Sequence, residues 1–183
     1  MKVLGIDPGS IYCGYGLIED GFAPDSLQAP VALRRPRSGN SYLSSGRIVL
    51  PARKALHARL SELYTSLAEV IADYRPDEIV IEKMFFAKGI KAALSLGHTR
   101  GVVLLAASLS GMPIYEYSAL EVKKAVVGYG KAEKVQVQMM VKEILGITHT
   151  LSPDSADALA LALCHANGRL VNQSCGPPRK DRG

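Results

Sequence analysis

Two short apolar runs each end in a single acid: Lys2-Val3-Leu4-Gly5-Ile6 in Asp7, and Glu78-Ile79-Val80-Ile81 in Glu82. Aliphatic, β-branched runs of this length read as buried strands. The first is followed directly by the turn sequence Pro8-Gly9-Ser10. An acid at the C-terminal end of a strand lies where open α/β sheets place their sites. These two runs constrain the chain to an α/β architecture with charge gathered at one end of the sheet.

The remaining pattern fills in that architecture. Gly14 to Ile18, Tyr42 to Leu50 and Ile114 to Tyr117 read as further strands, giving five with the two acid-ended runs. Leu56, Leu60, Leu63, Leu67, Val70 and Ile71 recur at helical spacing, which predicts an amphipathic helix from Pro51 to about Tyr74. Lys88 to Ser110 is rich in Ala and Leu on more than one face, so a central helix that also meets a partner chain is expected. Helices are predicted over Ala119 to Val127 and over Ala132 to Leu145, the latter with Val135, Met139 and Ile144 inward. A last helix is predicted from Ser152, as N-cap before Pro153, to about Asn167. Residues 20–41, with Pro24, Pro30, Pro36 and Arg34, Arg35, Arg37, read as an inserted loop or flap. The expected organisation is one domain over 1–170, followed by a flexible basic tail over 171–183.

A chain of 183 residues, 48% of them hydrophobic and 21% charged, can bury a core, which excludes disorder throughout. The net charge of +5 is unevenly distributed: 22–54, 83–142 and 169–183 are net positive, and 1–21, 55–82 and 143–168 net negative. Basic walls around an acidic centre would suit a polyanionic ligand, and ordinary solvated faces would give the same count. Cys13, Cys164 and Cys175 lack paired spacing, so neither a disulfide framework nor a zinc site is indicated and a reducing cytosol fits. The longest apolar stretch, around Gly101 to Leu109, is too short to span a bilayer, and Asp7 interrupts the N-terminus before a signal peptide could form. A soluble, cytoplasmic protein with no membrane partner is expected.

Asp154 and Asp157 stand three residues apart at the start of the last helix and share a face. Singly, the acids have simpler readings: Asp154 complements the helix dipole, Asp7 caps a turn, and Glu82 pairs with Lys83 at the surface. Asp157 precedes Ala158-Leu159-Ala160-Leu161-Ala162, where an unpaired carboxylate is costly. Like charges gather when something positive lies between them. Hard oxygen ligands without His or Cys spacing favour Mg²⁺ or Mn²⁺. Two such ions bridged by a shared aspartate would suit hydrolysis of a phosphodiester.

Four segments carry a resemblance. Gly5-Ile6-Asp7-Pro8-Gly9-Ser10 with Gly14-Tyr15-Gly16, Ile81-Glu82-Lys83-Met84-Phe85-Phe86-Ala87-Lys88, residues 126–138 from Val126 to Gln138, and Asp154-Ser155-Ala156-Asp157-Ala158-Leu159-Ala160 together resemble the RuvC family of Holliday junction resolvases. The resemblance covers residues 1–19 and 42–168 and implies a ribonuclease H-like fold, a mixed five-stranded sheet flanked by helices. It implies a homodimer that nicks a four-way DNA junction symmetrically in recombination and repair, with Mg²⁺-dependent hydrolysis, two ions per subunit and Mn²⁺ as a substitute. Asp7, Glu82, Asp154 and Asp157 match the family's four catalytic, metal-holding acids. Lys123 and Lys134 match its basic positions near the scissile phosphate, and Phe85 matches an aromatic directed at an unstacked base.

Lys88, Lys91 and Lys131, with Lys123 and Lys134, are the expected phosphate contacts; each alone also reads as a solvated lysine. Phe85 also reads as a core residue. Residues 20–41 depart from the family pattern by their length and their proline and arginine content. A junction-migration helicase complex is the expected further partner. Two other classes compete: a phosphate-binding ATPase or sugar kinase of the actin-like group, which generally needs two such domains where this chain holds one, and a non-catalytic junction binder, against which the intact acid set argues. Gly128-Tyr129-Gly130-Lys131 lacks the earlier Gly and following Ser or Thr of a phosphate loop, and His57, His98, His149 and His165 show no metal spacing.

Overall fold

A computed structural model describes residues 1–21, 39–83 and 89–174, with the side chains of 169–174 excepted. Its strands are β1 (Lys2–Pro8), β2 (Tyr12–Asp20), β3 (Asn40–Val49), β4 (Glu78–Glu82) and β5 (Ile114–Tyr117). They form the expected mixed five-stranded sheet, in the order β3-β2-β1-β4-β5. β1, β2 and β3 pair antiparallel, whereas β4 runs parallel to both β1 and β5. The acid-ended strands β1 and β4 are therefore central neighbours, with their C-terminal ends side by side.

Helices α1 (Leu56–Tyr74) and α2 (Ile90–Leu109) cover one face of the sheet; α3 (Ala119–Val127), α4 (Lys134–Leu145) and α5 (Pro153–Ser174) lie on the other. Strand alternation sends Leu4, Ile6, Ile79 and Ile81 to the α1–α2 side, and Val3 and Val80 to the α5 side. Asp7 and Glu82 share the parity of Val3 and Val80 and so point toward α5. That helix lies unusually close to the sheet. A Cβ on Gly5 would lie 2.0 Å from the carbonyl oxygen of Ala158, and one on Gly14 would lie 2.1 Å from that of Asp154.

Local sequence explains most element ends. Ser118 and Glu121 close a capping box on α3, and Glu133 with Gln136 closes one on α4. Gly128 and Gly146 end those helices with φ of 92° and 63°, a left-handed conformation that glycine adopts freely. Ser152 caps α5 by accepting from the Ser155 N–H at 3.2 Å.

Several expectations need correction. α1 begins at Leu56, because the Lys54 N–H bonds to the Pro51 carbonyl at 3.0 Å and folds 51–54 into a turn ahead of the helix. α4 begins at Lys134 and buries Val137, Val141 and Leu145; Val135 and Met139 are 61% and 66% exposed, not inward. α5 continues past Asn167 to Ser174, so the first residues of the expected tail are helical. The stretch Gly101 to Leu109 belongs to α2, a helix long and apolar enough by length and composition to cross a membrane. Here it packs on α1, burying Val103, Ala106 and Ala107. Within the expected insert, Asp20 closes β2 and Asn40 opens β3; residues 22–38 and 175–183 lie outside the described residues.

Candidate active site

The ends of β1 and β4 and the first turns of α5 meet at one cavity of about 350 Å³. Asp7, Glu82 and Asp157 line it together with Lys123 from α3 and Lys134 from α4; Ala119, Val122, Val137, Ala160 and Leu161 form its apolar wall. Asp154 does not line the cavity, but its charge acts on Asp7, Asp157 and Lys134. The close approach at Gly14 explains its position: Gly14 is the register partner of Asp7 in β2, and α5 reaches the sheet there.

The electrostatics follow from crowding. Burial first, then the carboxylates of Asp157, Glu82 and Asp154, push the Asp7 carboxyl up to about 7, against the opposing charge of Lys134. Burial and Asp157 raise Glu82, offset by Lys134 and Arg100. Burial also raises Asp157, whose Oδ2 accepts from Lys134 Nζ at 2.5 Å. Burial would lower Lys134, but the bond to Asp157 and the nearby acids raise it. The site thus holds more negative charge than its own cations balance.

This donor set fits a hard divalent cation. It offers carboxylate oxygens without imidazole or thiolate, and the raised acids are those an added positive charge would relieve. Among the described residues, no three such groups converge closely enough to ligate an ion as they stand, and the Lys134 ammonium holds Asp157.

The expected site residues separate clearly. Asp7, Glu82, Asp157, Lys123 and Lys134 come together; Asp154 flanks them. Lys91 and Lys131 are exposed and do not line the cavity. Phe85 and Lys88 lie outside the described residues. Among the described residues Glu82 makes no ion pair with Lys83, and the Lys83 main-chain N–H bonds to the Tyr117 carbonyl at 2.8 Å.

Some polar contacts near the site have no local sequence signature. Arg100 of α2 donates to the main-chain carbonyl of Glu82 at 2.5 Å and to the carboxylate of Glu116. Arg59 of α1 donates to the carbonyl of Ser10, in the turn after Asp7. Farther along α5, buried His165 holds Glu78 through Nε2 at 2.5 Å and Tyr117 through Nδ1 at 2.9 Å. An ionised Glu78 can only accept, so Nε2–H donates to it. The one available signal was a polar side chain inside an apolar run, as at His165.

The family model described as crossover junction endodeoxyribonuclease RuvC matches residues 3–165. Relatives bearing that name include one from Geotalea uraniireducens, 41% identical over 94% of this chain and 92% of its own length. Another, from Heliobacterium modesticaldum, is 42% identical over 96% of this chain and 99% of its own. Among solved structures, RuvC of Thermus thermophilus is similar with a TM-score of 0.77, at 30% identity over 93% of this chain and 96% of that one. The same organism's RuvC in complex with a Holliday junction substrate gives 0.76, at 28% identity over 94% and 97%.

Proposed function

The chain belongs to the RuvC family, nucleases that hydrolyse phosphodiester bonds and resolve Holliday junctions, and from that premise we propose that Asp7, Glu82, Asp154 and Asp157 form its metal-holding catalytic centre. The convergence of Asp7, Glu82 and Asp157 with two lysines on one cavity carries this reading. Those carboxylates would hold Mg²⁺, two ions per subunit with Mn²⁺ able to substitute, and the metal would supply activation of the attacking water and stabilisation of charge on the phosphate.

The chain's own residues do the rest. Asp7 and Glu82 are delivered by rigid central strands, and Asp154 and Asp157 by the capped start of α5. Lys134, paired with Asp157 at the cavity wall, is placed to meet a phosphate oxygen or the charge that develops in the transition state. Lys123, on the same wall, neutralises the neighbouring backbone. Exposed Lys91 and Lys131 extend the phosphate track, and Phe85 and Lys88 complete the proposed DNA contacts from sequence.

The protein acts as a homodimer, because a four-way junction has approximate two-fold symmetry and paired nicks need two sites. Ile90, Leu94, Leu105 and Leu109, all exposed along α2, supply an apolar face for that contact. A junction-migration helicase complex is its proposed further partner and the cytoplasm its compartment.

A labelled mobile junction incubated with and without Mg²⁺ tests the reading. Symmetric nicks that a ligase can seal are expected only with metal. Asp7→Asn should abolish them while junction binding persists, and full cleavage by that variant would sink the assignment.

A further inference from the structure

The last peptide of β4 is gripped from the face of the sheet opposite α5. Arg100 lies midway along α2 with its side chain only 13% exposed. One branch of its guanidinium bonds the main-chain carbonyl of Glu82 at 2.5 Å, and the other bonds the carboxylate of Glu116. Glu116 sits opposite Ile81 in the β4–β5 register, one step before the Glu82–Tyr117 pair. The next N–H, that of Lys83, bonds to the Tyr117 carbonyl at 2.8 Å.

A guanidinium this far from water needs its donors satisfied. Glu116 alone would answer its charge. The second branch is instead committed to the carbonyl of the residue whose side chain enters the cavity. Glu82 ends its strand, so the order of its main chain depends on what holds that final peptide. A related contact occurs at the other acid-bearing strand, where Arg59 bonds the Ser10 carbonyl in the turn after Asp7. In each case a helix on the far face reaches through to the main chain beside a site acid.

We propose that Arg100 is a positioning residue for cleavage: by locking the Glu82 peptide against β5, it sets the direction from which the Glu82 carboxylate meets a bound divalent ion. The inference rests on the reading of Glu82 as a ligand. Arg100 itself does not line the cavity and acts through the Glu82 peptide. Partners that orient a ligand commonly change metal affinity or activity by about 10–100-fold when lost.

The test uses the full chain without DNA, with Mn²⁺ as the probe and free Mn²⁺ read by electron paramagnetic resonance. Arg100→Lys keeps a positive charge and can reach one acceptor, but a single ammonium lacks the planar fork that spans both. It should weaken Mn²⁺ binding about tenfold or more, well beyond what any fall of its thermal midpoint in EDTA explains, while its junction affinity in EDTA matches the parent. Glu116→Gln keeps an acceptor for the outer branch and should retain Mn²⁺ affinity close to the parent's. Parental Mn²⁺ affinity in Arg100→Lys would overturn the proposal. So would a loss of affinity that merely tracks a lower midpoint in EDTA across both variants. Glu82→Gln separates the two claims. If it binds Mn²⁺ as the parent does, the ligand reading falls and the Arg100 proposal with it; if it loses Mn²⁺ while Arg100→Lys does not, only the Arg100 proposal falls.

Discussion

Lys134 Nζ lies 2.5 Å from Asp157 Oδ2 at the wall of the cavity that Asp7 and Glu82 share. The ammonium is the nearest counter-charge to a set of acids that repel one another, and it lowers the cost of keeping Asp7, Glu82 and Asp157 ionised. Because Lys134 is well exposed, this pairing adds little to stability; its value is local to the site.

Lys134→Met should therefore fold normally and cleave poorly. A loss of about 10²–10³ in single-turnover rate at saturating Mg²⁺ is expected, the scale of removing one donor to transition-state charge. Junction affinity should fall modestly, with the slope of log affinity against log salt reduced by about 1. Unchanged single-turnover cleavage would remove Lys134 from the chemistry.

The raised acids fix the sign of the pH dependence without metal. The Asp7 carboxyl titrates at about 7 in the native state against an ordinary 3.8, so between those values the folded chain holds a proton that the unfolded chain has released. Stability in EDTA should fall as pH rises through that window and level off above it. Glu82 and Asp157, also raised, act in the same direction. Glu121 is lowered by its bonds to Ser118 and acts oppositely, but only below its ordinary 4.5. Asp7→Asn should be more stable than the parent near neutrality in EDTA. Denaturant midpoints collected across the window check both statements; a parental midpoint that climbs toward neutrality would contradict them.

Gly14→Ala should damage activity out of proportion to stability. Its Cβ would lie 2.1 Å from the Asp154 carbonyl oxygen, main chain that can yield only if α5 lifts from the sheet. Overpacking of this kind costs about 1–3 kcal/mol, and the lift moves Asp154 and Asp157 away from Asp7. Gly97→Ala in α2 is the control, since a Cβ there meets nothing within 4 Å and should be neutral or mildly stabilising. Thermal melts beside cleavage rates distinguish the two.

The exposed face of α2 makes its own prediction. Leu94→Glu with Leu105→Glu places charge on the proposed dimer face, which is 61% and 52% open at those residues. Sedimentation should show a monomer, and junction cleavage should shift from paired to single nicks. A double variant that still sediments as a dimer would move the interface elsewhere.

The acids were legible because each stood at a boundary the sequence marks by itself: Asp7 and Glu82 close aliphatic runs, and Asp154 and Asp157 follow a Ser-Pro cap. The phase of α4 was not. Both Val135 with Met139 and Val137 with Val141 are apolar pairs at four-residue spacing, and nothing local chooses between them. The choice is made by tertiary contact: Lys134 must face the cavity, and Val137 and Val141 follow it on the same side of the helix. Contacts such as Arg100 with Glu82 and His165 with Glu78 join residues far apart in the chain, so no spacing rule could announce them.

A carboxyl that titrates near neutrality makes the centre a reservoir of exchangeable hydrogen ions. Any cation that enters must expel them into the surrounding medium. The heat of metal binding at neutral pH will therefore include the ionisation enthalpy of whatever buffer receives those ions. Calorimetric titrations in Pipes and in Tris should disagree, and their difference counts the hydrogen ions displaced.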